Sequence, residues 1–166
     1  MYLNDIQVIN FKNYEEKSYQ FSSGVNCIVG LNGVGKTNLL DAIHYLSMTK
    51  SYFVNLDMPN IRHGQDFFSI HGNCVIDDVD GLNKISCIQQ IGKRKIFKFN
   101  QKEYNRLAEH IGILPSVMVS PADTDYINGS AEVRRRYFGR KRRYHIFNLR
   151  RNRKGRINCG NSKGDE

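Results

Sequence analysis

The chain has no tryptophan and only three prolines among its 166 residues, and none of its apolar runs approaches the length of a membrane span. No membrane role is therefore expected. The first residues also lack the charged-then-apolar layout of a secretory signal, so the expected location is cytoplasmic. Cysteine is sparse and scattered. Cys27, Cys74, Cys87 and Cys159 form no C-x-x-C pair and share no metal-site spacing with the five histidines. That excludes a zinc ribbon or a disulfide framework as the organising principle. Cys27 and Cys87 fall in apolar strand patterns and read as small core residues. Acidic residues are scarce where basic ones are dense: residues 139–166 hold ten of the 25 Lys and Arg but only two of the 16 Asp and Glu. Residues 1–138 are left with 15 bases against 14 acids, so all but one unit of the formal net charge of +9 belongs to the tail.

Glycine is present where it matters. Gly30-Leu31-Asn32-Gly33-Val34-Gly35-Lys36-Thr37 fits G-x-x-x-x-G-K-S/T, the loop that cradles phosphates. Val25 to Val29 reads as a buried strand leading into it, and Leu39, Leu40, Ile43 and Leu46 give the helical period that follows. Gly30, Gly33 and Gly35 allow positive φ and let backbone N–H groups approach phosphate oxygens. Lys36 supplies a point charge for the outer phosphates, and the Thr37 hydroxyl is placed to ligate Mg²⁺. These residues predict an ATP–Mg²⁺ site at a helix N-terminus.

The rest of the pattern is mixed. Tyr2 to Phe11 and Lys17 to Phe21 read as a hairpin turning at Asn13 to Glu16, and a helix is expected from Lys36 to about Met48. Residues 49–65 carry no period. A β-rich block follows at 67–76, 84–91 and 94–99, then a short helix from Tyr104 to Ile111 ended by Gly112, a strand from Leu114 to Val119, and a helix capped by Ser130. Asp77 and Asp78 superficially resemble an acidic ATPase pair, but the Asp80-Gly81 step that follows favours a hairpin turn. No hydrolytic residues are therefore assigned.

Three segments together resemble the RecF recombination mediators, relatives of SMC-like ATPase heads. They are Asn10-Phe11-Lys12-Asn13-Tyr14; the loop in its form Gly30 to Asn38; and Ser120-Pro121-Ala122-Asp123 with Gly129-Ser130 and Arg134-Arg135-Arg136-Tyr137-Phe138. The resemblance covers residues 1–138. It implies an α/β fold, the first lobe of an ABC/SMC-like P-loop NTPase head, with a mixed sheet and an antiparallel β subdomain at about 67–99. It also implies that Lys12 and Asn13 approach the nucleotide, with Lys12 replacing the more usual Arg. The nucleotide-binding set is then Lys12, Asn13, Gly30, Leu31, Asn32, Gly33, Val34, Gly35, Lys36, Thr37 and Asn38. In such proteins an ATP-dependent homodimer closes on DNA, gapped duplex or single-stranded, and works with RecO and RecR mediators to load a recombinase. The signature motif and acidic strand that complete the ATPase site lie beyond the positions this chain matches.

After Phe138 the pattern stops and an Arg/Lys/Gly/Asn-rich segment begins. The expectation is a frameshifted or misassigned end to a RecF first lobe. The competing reading is a basic arm in which Tyr144 and Phe147 stack on bases. Two other function classes stand beside the leading one: a small P-loop phosphotransferase of the nucleotide-kinase kind, and a nucleic-acid-binding protein with a vestigial loop.

Overall fold

The computed structural model describes residues 1–77, 79–124 and 130–132. The predicted Arg134–Arg136 cluster and the basic tail lie outside them, as do Asp78 and Gly129. Two compact units are present, Met1–Met118 and a second beginning at Val119. Of the second, a short 3₁₀ turn at Pro121–Thr124 is described, in which the Ser120 amide donates to Asp123 Oδ2 at 2.6 Å.

The first unit is built on a six-stranded sheet in the order β2-β1-β3-β4-β5-β6. Its strands are β1 (Tyr2–Ile9), β2 (Glu16–Gln20), β3 (Phe67–Ile76), β4 (Val79–Gln90), β5 (Ile96–Phe99) and β6 (Lys102–Glu103). Every neighbouring pair is antiparallel. The antiparallel block predicted at 67–99 forms, and because β3 pairs with β1 it shares one sheet with the N-terminal hairpin. Period-two alternation puts Ile6, Val8, Ile70, Cys74, Ile85, Cys87 and Phe97 on a single buried face. The hairpin expected from Asp80-Gly81 forms, but Ile76 pairs with Val79. Gly81, at φ 80°, marks the adjacent irregularity in register.

Helix α1 (Lys36–Met48) covers that face. Leu39, Ala42, Tyr45 and Leu46 are buried, a stripe at helical spacing against β3 and β4. Each large side chain in it contributes about 1.5–3 kcal/mol through removal from water. Leu40, predicted to join the stripe, is 45% exposed, because it lies round the helix from Leu39. The closest approach is at Gly72 of β3, where a Cβ would stand 2.5 Å from Leu46 Cδ1 and 3.1 Å from Leu3 Cδ1. Phe11, Tyr45 and Phe68 pack edge-to-face with centroids 5.2–6.0 Å apart. The aperiodic stretch after α1 is fastened by a polar knot. Lys95 Nζ donates to both Asp57 oxygens (2.8 Å), to Tyr45 OH (2.9 Å) and to the Thr49 carbonyl (2.8 Å).

Four expectations are corrected. Val25–Val29 is not a strand: no described strand pairs with it, and Val25 and Val29 are 92% and 86% exposed. Cys27 is accordingly exposed rather than core, while Cys74 and Cys87 are buried. Leu114–Val119 forms no strand either, with Val117 and Val119 exposed. The Tyr104–Ile111 helix shrinks to a 3₁₀ turn at Leu107–Glu109, where His110 is wholly buried and bonds through Nε2 to the Leu46 carbonyl at 2.6 Å. Gly112 follows at φ 95°, so the stop signal was real although the helix is not.

Candidate phosphate-binding site

The site is assembled from two chain segments that meet below the N-terminus of α1. One is the turn between β1 and β2. Asn10 and Lys12 take left-handed φ of 51° and 54°, and the Tyr14 amide closes the turn on the Phe11 carbonyl at 2.9 Å. The Lys12 amide and the Asn10 carbonyl bond to Asn60 and Arg62 at 2.8 Å each, which fixes the turn to the body. Phe11 is fully buried beneath it.

The other segment is the glycine loop. Gly30, Gly33 and Gly35 have φ of 151°, 86° and 107°, the conformations predicted from their positions. Four loop carbonyls accept side-chain hydrogen bonds. Lys36 Nζ donates to Gly30 and Leu31 at 2.8 Å each, Asn13 Nδ2 to Gly33 at 3.3 Å, and Tyr14 OH to Gly35 at 3.0 Å. With carbonyls turned to these donors, the polar groups left for a ligand are the amides, including the first N–H groups of α1, which have no intrahelical acceptor. The helix dipole adds to the positive potential there. Lys36 makes no ion pair among the described residues, so its ammonium can exchange two neutral carbonyls for anionic oxygens. Thr37 follows it at the exposed start of the helix, and Leu31, Asn32 and Val34 are exposed along the loop.

Lys12 is held elsewhere than expected. Its Nζ lies 2.5 Å from Asp41 Oδ2, and Asp41 is fully buried in α1. The same carboxylate accepts from Ser51 Oγ and from the Tyr52 amide, both at 2.7 Å. Lys12 thus ties the turn to α1, its ammonium also lying 5.5 Å and 5.4 Å from the Phe11 and Phe53 ring centroids. Asn13, by contrast, reaches the loop, and its Oδ1 accepts from Asn38 Nδ2 at 2.7 Å. Sequence reasoning left Tyr14 and Asp41 without roles. Tyr14 stands in the same five-residue motif, and Asp41 is a carboxylate among the apolar positions of a helix, a placement that asks for a partner.

A polyphosphate with Mg²⁺ fits these residues. The left-handed glycines and uncommitted amides suit the phosphates. Mg²⁺ bound through phosphates and water needs only a ligand such as the Thr37 hydroxyl. Among the described residues no group of three or more His, Cys, Asp or Glu could cage a metal by itself. Asp77 bonds the N-terminal ammonium at 2.7 Å.

The family model described as the RecF/RecN/SMC N-terminal domain matches residues 2–119. A DNA replication and repair protein RecF of Bacteroides fragilis is 48% identical over 138 residues, covering 82% of this chain and 37% of the relative. Its counterpart in Flavobacterium johnsoniae is 42% identical over 137 residues, 82% of this chain and 38% of that protein. The chain therefore spans little more than a third of these relatives. Among solved structures, the recombination mediator RecF–ATP of the RecFOR pathway is similar with a TM-score of 0.74 and 32% identity, covering 82% of this chain and 37% of that one. An SMC ATPase structure, from work on ATP-driven dimerization and DNA-stimulated activation, superposes with a TM-score of 0.69 at 21% identity over 81% of this chain and 96% of that one, a likeness of fold.

Proposed function

The chain belongs to the RecF/RecN/SMC N-terminal domain family, and from that premise we propose that it is the ATP-binding lobe of a RecF-type DNA replication and repair protein. The observation that carries the reading is the loop itself: three left-handed glycines, carbonyls engaged by side chains, and a lysine with no carboxylate partner among the described residues. In this reading Gly30, Gly33 and Gly35 present amides to the β- and γ-phosphates of ATP. Lys36 leaves the Gly30 and Leu31 carbonyls to neutralise phosphate charge. The Thr37 hydroxyl would hold Mg²⁺, which would supply positive charge to the phosphates. Leu31, Asn32, Val34 and Asn38 shape the loop, and Asn13 borders it. Lys12 approaches the nucleotide through the turn it anchors rather than as a free cation.

The whole-protein activities belong to the same proposal: ATP-dependent homodimerisation, DNA binding at gaps, and cooperation with RecO/RecR-type mediators in loading a recombinase. Residues 1–138 form the ATP-binding lobe and 139–166 a basic tail. This chain alone is expected to hold nucleotide without sustained turnover.

The test is binding of a fluorescent ATP analogue with Mg²⁺ to the 166-residue chain and to its Lys36→Ala variant. A charge-assisted bond is worth about 1.5–3 kcal/mol. Affinity is therefore expected to fall about tenfold to hundredfold on substitution. Equal binding by the two proteins would overturn the reading.

A further inference from the structure

We propose that Tyr14, acting with Asn13, is a positioning residue that latches the helix side of the phosphate loop into its anion-accepting shape. The proposal rests on the reading of that loop as a nucleotide site.

The Tyr14 side chain is buried under the loop, only 5% exposed, and its hydroxyl donates to the Gly35 carbonyl at 3.0 Å. Tyr19 OH donates to the same hydroxyl at 3.4 Å, so the Tyr14 proton is directed at Gly35 and not at its neighbour. The two rings meet edge-on with centroids 6.2 Å apart. Burial, with Tyr19 beside it, pushes the Tyr14 phenol well above its usual range and keeps it a neutral donor. Gly35 O is also the first acceptor of α1, taking the Leu39 amide at 2.9 Å. One carbonyl thus joins turn, loop and helix.

The fit is tight. A Cβ built on Gly35 would lie 2.9 Å from Tyr14 Cζ and 2.9 Å from both amide atoms of Asn13. Gly35 therefore occupies a slot walled by the two side chains, at a φ of 107° that only glycine adopts readily. Asn13 holds the carbonyl two residues upstream, that of Gly33, and is itself braced by Asn38 from the first turn of α1. Rotation of either peptide would turn its carbonyl into the space where phosphate oxygens must approach, so what holds those carbonyls down also holds the amides up. The turn carrying both residues is in turn pinned by Lys12 to buried Asp41.

The test compares Tyr14→Phe, which keeps the ring and removes only the hydroxyl, with the unsubstituted 166-residue chain. Amide hydrogen exchange is read at Gly33–Lys36 and across β3 and β4, together with affinity for Mg²⁺–ATP. One hydrogen bond predicts loop exchange about threefold to tenfold faster, and affinity lower by a similar factor, with sheet exchange unchanged. Exchange that accelerates equally across the sheet, or nowhere, would overturn the latch, as would faster loop exchange with unchanged affinity. If the unsubstituted chain binds no ATP while loop exchange still responds, the latch stands and the nucleotide reading falls. If ATP binds and Tyr14→Phe changes nothing, the reverse holds.

Discussion

Replacing Asp41 by Asn tests how the turn carrying Asn13 and Tyr14 is held. Asp41 is fully buried and Lys12 is 15% exposed, so neither charge is compensated by bulk water. The carboxylate accepts three bonds, from Lys12 Nζ, Ser51 Oγ and the Tyr52 amide. An Asn side chain keeps the shape and one acceptor, enough for Tyr52, but presents an NH₂ group to the Lys12 ammonium. Breaking a buried pair from one side costs about 3–5 kcal/mol, a large share of the roughly 5–15 kcal/mol that hold a domain together. Lys12→Met alone leaves a buried carboxylate with two neutral donors and is costly for the same reason. The double variant removes both charges and is expected to be more stable than the sum of the single losses by at least about 1.5 kcal/mol. Urea unfolding followed by far-ultraviolet circular dichroism suits a chain without tryptophan, and equal slopes would confirm that only stability has changed. Additive single-variant effects, or a loss below about 1 kcal/mol for Asp41→Asn, would refute the argument.

Three further outcomes are expected. Gly72→Ala forces a methyl group to 2.5 Å from Leu46 Cδ1 between β3 and α1 and should lower stability by about 1–3 kcal/mol; an unchanged urea midpoint would contradict that packing. His44 and His71 both have pKa values lowered from the ordinary 6.5, chiefly by burial, with Lys84 adding to the effect at His71. The unfolded chain then binds protons more readily than the folded one, so stability is fully present above about pH 6.5 and declines as the pH falls below it. A His44→Gln/His71→Gln variant should show a shallower decline between pH 7.5 and 5.5, and an unaltered slope would remove these rings as its cause. Iodoacetamide at neutral pH should modify exposed Cys27 while sparing Cys74 and Cys87 until urea unfolds the sheet, since burial raises the Cys74 thiol to about 11 and the Cys87 thiol further. Peptide mass mapping that finds all three labelled at one rate would refute the buried placement.

The elements legible in the sequence were those whose period and partners both lie within residues 1–118. Helix α1 and strand β3 have the predicted bounds, because an apolar stripe at helical spacing and an alternating run each bury one face against the other. The glycine conformations followed from the loop motif for a local reason, since only glycine tolerates those φ angles. Asp41 was not legible because the pairing of a buried carboxylate is a tertiary fact: Lys12 stands 29 positions away, on the far side of the loop. Tyr14 was visible as a motif residue, but its bond to Gly35 depends on how the hairpin folds back under the helix.

The segment before the loop failed for the opposite reason. Val25 to Val29 has the composition of a buried strand, and composition reports what side chains would gain from burial, not whether neighbours exist to bury them. A strand is a property of a pair, and no described strand pairs with this one. Asn26 fastens it locally, bonding Ser22 and the Gly24 carbonyl in a turn, and Ile28 is partly buried against the core. The phosphate loop is therefore anchored unequally. On its helix side Asn13 and Tyr14 grip Gly33 and Gly35 from a turn fixed to the body. On its strand side the described ties to Gly30 and Leu31 come from Lys36, the very group a phosphate would draw away. Ligand binding thus removes one restraint while engaging the loop amides as another, so the shape that receives the ligand must be set from the helix side. That asymmetry makes the Tyr14 hydroxyl, rather than the loop glycines alone, the group on which a preformed phosphate cradle depends.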